Sequence, residues 1–162
     1  MRTQPPSRER VFLTFAAGDL KRVRPITAQL QVGGALALDH GLSSGPFATP
    51  RGDIIRASLQ TRLRHCTSAL CLYGARTLDD PWVRWTLEAA AELRLPLLGA
   101  ALPGEAGGAS ERYLTGLGAE IVPLSGDTIA TRARAVAVRP RIAPIDAASL
   151  AETLYLMRHP LR

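Results

Sequence analysis

Residues 67–102 read TSALCLYGARTLDDPWVRWTLEAAAELRLPLLGAAL, and this stretch decides the fold. Thr67 to Tyr73 is a short, largely apolar run without polar alternation, as a strand buried on both faces requires. Gly74 to Asp79 gathers turn residues and reads as a loop. Asp80-Pro81 is a helix start. The aspartate can accept a first-turn N–H, and proline at the first helical position lacks a donor that has no partner there anyway. The spacing predicts a helix as far as Arg94, and Leu95 to Leu102 forms a second apolar run. Strand, helix and strand in this order make a parallel βαβ unit.

The same alternation extends in both directions. Upstream, Val11 to Phe15 is β-branched and aromatic and reads as the first strand. Asp19 then stands where it could cap a helix carried by Leu20, Val23, Ile26, Thr27 and Leu30, which Pro25 either kinks or delays. Gly33-Gly34 punctuates, Ala35 to Leu38 reads as the second strand ending at Asp39, and His40 to Arg51 is a loop. A long helix is predicted from Gly52-Asp53, with Ile55, Leu59 and Leu63 at i, i+4 and i+8. Downstream, Pro103 to Ala109 is a glycine-rich connection, and Ser110 is expected to cap a short helix stopping at Gly116 or Gly118. Ile121 to Leu124 is the predicted fifth strand. Residues 125–145 read as irregular, with Thr128 to Pro144 at best a helix followed by a linker. Asp146 is expected to cap a last helix bearing Leu150, Leu154 and Met157.

The expectation is therefore one α/β domain over residues 1–162. Its sheet is doubly wound, mainly parallel and five-stranded, with helices on both faces in the flavodoxin-like manner. Ligands of such sheets sit beyond the carboxyl ends of the strands, where strand order reverses. The loops to search are Ala16 to Asp19, Asp39 to Gly52 and Gly74 to Asp80.

Composition bounds the function. The 162 residues are 46% hydrophobic and 21% charged, which is globular rather than disordered. No run approaches the roughly 18–20 apolar residues of a membrane span. Met1 to Arg10 lacks the apolar core of a signal peptide, so a cytoplasmic protein is expected. Cys66 and Cys71 have neither metal-ligand nor disulfide-framework spacing and read as buried thiols. The net charge of +6 is nearly all arginine, Lys21 being the only lysine. The arginines are scattered and the aromatics too few to form a stacking platform, which argues against nucleic acid. The densest group, Arg132, Arg134, Arg139 and Arg141, reads as a solvated face. A receiver-like domain would need a phosphorylatable aspartate after strand three, and none occurs until Asp79. Neither zinc-ligand spacing nor a Gly-x-Ser-x-Gly elbow is present, so no metal is expected.

Four segments together resemble the TIR-like domain family. Val11-Phe12-Leu13-Thr14-Phe15 with Gly18-Asp19 is similar to its opening box, Thr14 standing for the serine. Asp39 and the loop after it resemble the second strand and its mobile loop. Gly52-Asp53-Ile54-Ile55 with Leu59, Leu63, Cys66 and Ser68 resembles the helix leading into strand three. Trp82-Val83-Arg84-Trp85 resembles the tryptophan motif of the catalytic helix, and is most similar to the Trp-Val-x-Trp-Glu-Ile form of Thoeris-type antiphage systems. The resemblance spans residues 10–102. It implies binding of NAD and cleavage of its nicotinamide–ribose bond, or synthesis of a cyclic ADP-ribose-type signal that activates an effector. It also implies self-association or a TIR or effector partner. The nucleotide-contacting positions it implies are Phe15, Ala16, Asp19, Asp39, His40, Trp82, Trp85 and Thr86.

One departure matters. The family's catalytic carboxylate falls at Thr86, and a neutral threonine cannot stabilise a ribosyl cation as a carboxylate does. Glu88 lies about 200° further around a helix of 3.6 residues per turn. With Arg84 and Glu92 it forms a stripe at i, i+4 and i+8 that reads as exposed. The candidate replacement groups are Glu88, Asp39 and His40, although the two aspartates at strand ends, Asp19 and Asp39, also suit capping. Trp82 shares a face with Thr86 and either lines the cleft or packs on the sheet. If no acid replaces Thr86, the expected alternative is a catalytically inactive TIR domain used for assembly.

Overall fold

The central strand of the sheet, β3 (Ser68–Tyr73), is buried at every position. It has neighbours on both sides: β1 (Arg10–Thr14) pairs Val11 with Ser68, and β4 (Leu97–Ala101) pairs Leu97 with Ala69. Beyond β1 lies β2 (Leu36–Asp39), beyond β4 lies β5 (Glu120–Ile121), and every pairing is parallel. The strand order is 2-1-3-4-5, and it reverses between β1 and β3. The computed structural model describes residues 9–32, 36–39 and 47–137.

Among the described residues the sheet has four full strands and a two-residue edge. The stretch expected to supply strand five, Ile121 to Leu124, pairs only through Glu120 and Ile121, opposite Leu98 and Gly99. Pro123 explains the shortening, because it has no N–H to continue the ladder.

Helices cover both faces. On one, α1 (Leu20–Val32) and α5 (Gly126–Val136) bury Val23, Ile26, Leu30, Ile129 and Ala133 against Val11, Leu13, Leu70, Leu72 and Leu98. On the other, α2 (Pro50–Arg64) and α3 (Pro81–Glu92) bury Ile55, Leu59, Leu63, Trp82 and Ala90 against Phe12, Ala69 and Leu97. Next to them α4 (Gly108–Gly116) sets Leu114 beside Val83, Leu87, Cys71 and Tyr73. This is a doubly wound α/β arrangement of the flavodoxin-like order.

Several helix starts differ from the sequence reading. Asp19 does not cap α1; it closes a 3-10 turn over Ala17–Asp19, and its carboxylate is drawn to Arg22 instead. Pro25 neither delays nor splits α1, and it lies on the exposed side of that helix. α2 begins earlier than Gly52, because Thr49 accepts the Gly52 N–H at 3.1 Å and Pro50 takes the first position. Asp80 caps α3 as expected, accepting the Trp82 N–H at 2.9 Å.

Ser110 is not a cap but lies inside α4, where its hydroxyl donates to the Gly74 carbonyl at 2.9 Å. In the segment 125–145 the helix that Thr128 to Pro144 offered at best is formed, over Gly126–Val136, with Ser125 as the cap and Ile129, Ala130 and Ala133 on the buried side. Arg132 pairs with Glu120 at 2.7 Å and Arg134 is exposed. Arg139, Arg141, Asp146 and the helix expected after it lie outside the described residues.

Candidate functional site

Strand order reverses between β1 and β3, so the turns leaving those strands diverge to opposite faces and leave a crevice at their carboxyl ends. A cleft of about 550 Å³ opens there. Its first wall is Ala16 and the turn Ala17–Asp19, with Arg22 from the first turns of α1. Its second wall runs from Gly74 to Arg76 and then from Asp79 through the capped start of α3 to Trp82. Glu105, from the loop between β4 and α4, completes it.

Gly74 is the floor. A Cβ built there would meet both Asp19 Oδ2 and Glu105 Cδ at 3.6 Å. By twice that distance, the two carboxyl groups are at most about 7 Å apart. Arg22 holds them in place: its Nη1 lies 3.3 Å from Asp19 Oδ1 and 3.7 Å from Glu105 Oε1. Its Nη2 also donates to the Pro103 carbonyl at 2.9 Å, tying α1 to the β4–α4 loop. Glu105 Oε2 accepts the Ala75 N–H at 2.9 Å. The Gly74 N–H donates to Thr77 Oγ1 at 2.7 Å, which fixes the turn beneath both acids. Arg76 pairs with Asp79 at 3.2 Å.

A second acid, Glu111, steadies the loop behind the cleft. Its Oε2 accepts the Tyr73 hydroxyl at 2.7 Å and the Gly107 N–H at 2.6 Å, and these two bonds, in that order, hold its carboxyl below the ordinary range. Burial first, then the bond to Glu111, pushes the Tyr73 hydroxyl above its ordinary value.

The sequence-derived candidates separate clearly. Ala16, Asp19 and Trp82 line the cleft. Phe15 does not; it is 3% exposed and packs in the core beneath α1 and α5. Trp82 lines the cleft and also packs, its ring edge-on to Phe47 at 4.9 Å. Trp85 is half-buried against the α2–α3 side of the core. Thr86 is fully buried, away from the cleft lining, and its hydroxyl has no hydrogen-bond partner among the described residues. Glu88 is exposed outside the cleft and accepts the Tyr113 hydroxyl at 2.9 Å, linking α3 to α4. Burial first, and then this bond, raises the Tyr113 hydroxyl above its ordinary value. Asp39 ends β2, one strand outward from the reversal, and His40 lies outside the described residues.

Arg22 and Glu105 were not among the sequence candidates. Glu105 comes from the loop after strand four, one strand outward from the reversal, and reaches the cleft through its bonds to Ala75 and Arg22. Arg22 sits three residues after Asp19, the spacing that lets two side chains meet on one helix face. Among the described residues no group of three His, Cys, Asp or Glu side chains is placed to hold a metal ion, and no helix is long and apolar enough to cross a membrane.

Neither a protein-family model nor a curated protein matches the sequence. Solved structures do match in shape. A CMP N-glycosidase from Clostridium botulinum superimposes over 76% of this chain and 97% of its own, with a TM-score of 0.50 and 14% sequence identity. A 2-deoxyribosyltransferase from Bacillus psychrosaccharolyticus covers 61% of this chain and 77% of its own, with a TM-score of 0.48 and 17% identity. At 14% identity the first likeness establishes a common fold.

Proposed function

We propose that this chain is a TIR-like nucleotide-binding domain that takes NAD, or a smaller molecule carrying the same nicotinamide–ribose unit, into the β1/β3 cleft and acts at its N-glycosidic bond. One observation carries the reading: a nucleotide-sized cleft at the strand-order reversal, with the Asp19 and Glu105 carboxylates both close to Gly74 in its lining. Carboxylates beside a ribose are the groups that N-ribosyl chemistry uses, because positive charge develops on the sugar as its bond to the base breaks. The similarity in fold to a CMP N-glycosidase supports the same reaction class.

In the hydrolytic form the C1′–N bond breaks and its electron pair leaves with the nicotinamide nitrogen, which becomes neutral. Water then adds to C1′ and gives up one proton, for which Asp19 or Glu105 is the nearby acceptor. The Glu105 carboxylate, oriented by the Ala75 N–H and faced by Arg22, would stabilise the cation. The Thr86 hydroxyl is buried outside the lining and has no part in this scheme.

The test is nicotinamide release from NAD, read by chromatography, alongside calorimetric binding. Glu105→Gln is expected to lower release by about 100- to 1000-fold, the usual effect of deleting one preorganised electrostatic group. Glu88→Gln is expected to leave it within twofold. Release abolished by Glu88→Gln and untouched by Glu105→Gln would move the chemistry to α3. No binding together with no turnover would remove the reading altogether.

The burial of Thr86 favours a second reading, a non-catalytic TIR domain used for assembly. It predicts concentration-dependent oligomers in sedimentation with no nicotinamide release, and a strict monomer with no captured partner would count against it.

A further inference from the structure

The chain as a whole carries a formal charge of +6, yet its cleft has the opposite sign. The described lining residues include four carboxylates, Asp19, Asp79, Asp80 and Glu105, and two cations, Arg22 and Arg76, which leaves two negative charges in excess. Both cations are already engaged. Arg22 is shared among Asp19, Glu105 and the Pro103 carbonyl, and Arg76 pairs with Asp79. A phosphate entering this space would meet guanidinium groups already shared with carboxylates and would lie beside those carboxylates, whereas a cation would meet an excess of negative charge. Asp19 and Glu105 are only 19% and 29% exposed at their side chains, so water screens them incompletely and their field persists inside the cleft.

We propose that the cleft selects a cationic, unphosphorylated N-ribosyl compound, a pyridinium ribonucleoside, over its phosphorylated forms. This rests on the reading of the cleft as a nicotinamide–ribose site and narrows its substrate class. The positive pyridinium ring lies toward the Asp19–Glu105 pair. NAD then binds in spite of its diphosphate, not because of it.

Calorimetric titration of the full chain with four compounds tests this: nicotinamide riboside, its uncharged dihydro form, nicotinamide mononucleotide and NAD. Nicotinamide riboside is expected to bind at least tenfold more tightly than the mononucleotide, which differs from it by one phosphate. It is also expected to bind at least tenfold more tightly than the dihydro riboside, which has the same outline without the charge. Raising the salt from 50 mM to 500 mM should weaken the riboside and leave the dihydro form unchanged. Glu105→Gln should reduce riboside affinity severalfold without altering dihydro riboside affinity, a selectivity that a merely misfolded variant cannot produce. Asp19→Asn provides the same comparison if Glu105→Gln fails to fold.

Mononucleotide or NAD binding as tightly as the riboside would overturn the charge preference while leaving the nicotinamide–ribose site intact. Equal affinity for the charged and uncharged ribosides would do the same. Absence of binding by all four compounds would remove both the preference and the site.

Discussion

At the scale of single residues, Thr86 separates the sequence reading from the structure. Its position was legible as the one where a catalytic carboxylate is implied; its burial was not, because a helix pattern does not say how deeply one face sinks. A buried hydroxyl without a partner has lost its water for nothing in return. Thr86→Val is therefore expected to preserve or raise stability, by up to about 1 kcal/mol in chemical denaturation. Thr86→Glu is expected to lower it by about 2 kcal/mol or more, since a carboxyl group there would be buried without a bond. A glutamate variant as stable as the parent would show that α3 can turn this position toward the cleft. The two cysteines give a pH prediction. Cys66 and Cys71 are buried free thiols, and burial pushes both from an ordinary value of about 9 up to about 12. Below pH 9 they are protonated whether folded or unfolded, and their contribution to stability is fully present. Between about 9 and 12 the unfolded chain loses protons that the fold retains, so stability falls as pH rises, by up to about 1.4 kcal/mol per pH unit for each thiol. Thiol reagents at pH 8 should react only after denaturation; rapid modification of the native protein would contradict the burial.

At the scale of elements, the helices that carry their own start signals are the ones the sequence located. Asp80-Pro81 marks α3 to the residue because cap and proline act locally. Asp80→Ala is expected to cost about 1 kcal/mol and to disturb the cleft wall it anchors, measurable as a lower denaturation midpoint. An unchanged midpoint would mean that tertiary contacts alone fix the helix start. α5 was legible only in part, because Pro140 and Pro144 left Thr128 to Pro144 readable at best as a helix followed by a linker. Its buried side, Ile129 with Ala130 and Ala133, packs in the same core as α1. That contact is close at Gly126, whose N–H donates to Gln29 Oε1 at 3.1 Å. A Cβ there would overlap Gln29 Cβ and lie 2.7 Å from its Oε1. Gly126→Ala is thus expected to cost about 1–3 kcal/mol through overpacking, seen in equilibrium unfolding. A neutral result would mean that Gln29 swings aside freely. Strand five formed but shorter than expected, because Pro123 limits its ladder, and Ser110 is not a cap because its hydroxyl bonds to the Gly74 carbonyl, a partner 36 residues away that no local spacing reveals.

At the scale of the whole molecule, the site was half legible. The doubly wound order pointed to the loops after β1, β2 and β3; the first and third supply most of the cleft, and the described residues of the second supply none of it. Glu105 was missed because its importance depends on strand order and on the path of a glycine-rich loop, neither of which has a period in the sequence. Among the described residues, that loop is also where the fold should first open. Gly104 and Gly107 have φ of 79° and 80°, which glycine adopts without strain, and Gly104, Ala106 and Gly107 are exposed. What restrains the loop is polar: Arg22 on the Pro103 carbonyl, Glu105 on Ala75, and Glu111 on Gly107. Such partly exposed bonds break at much lower cost than the core between β1, β3 and β4, where Leu13, Leu70 and Leu98 are essentially without solvent contact. Limited proteolysis is therefore expected to cut within residues 103–108 before any site in β1, β3 or β4, and hydrogen exchange should be slowest in those strands. A ligand held between Asp19 and Glu105 would fasten the loop to the cleft, so saturating nicotinamide riboside should slow that first cut severalfold in the parent protein and not in Glu105→Gln. A first cut inside β3, or equal protection in both proteins, would mean that Glu105 does not couple the loop to the ligand.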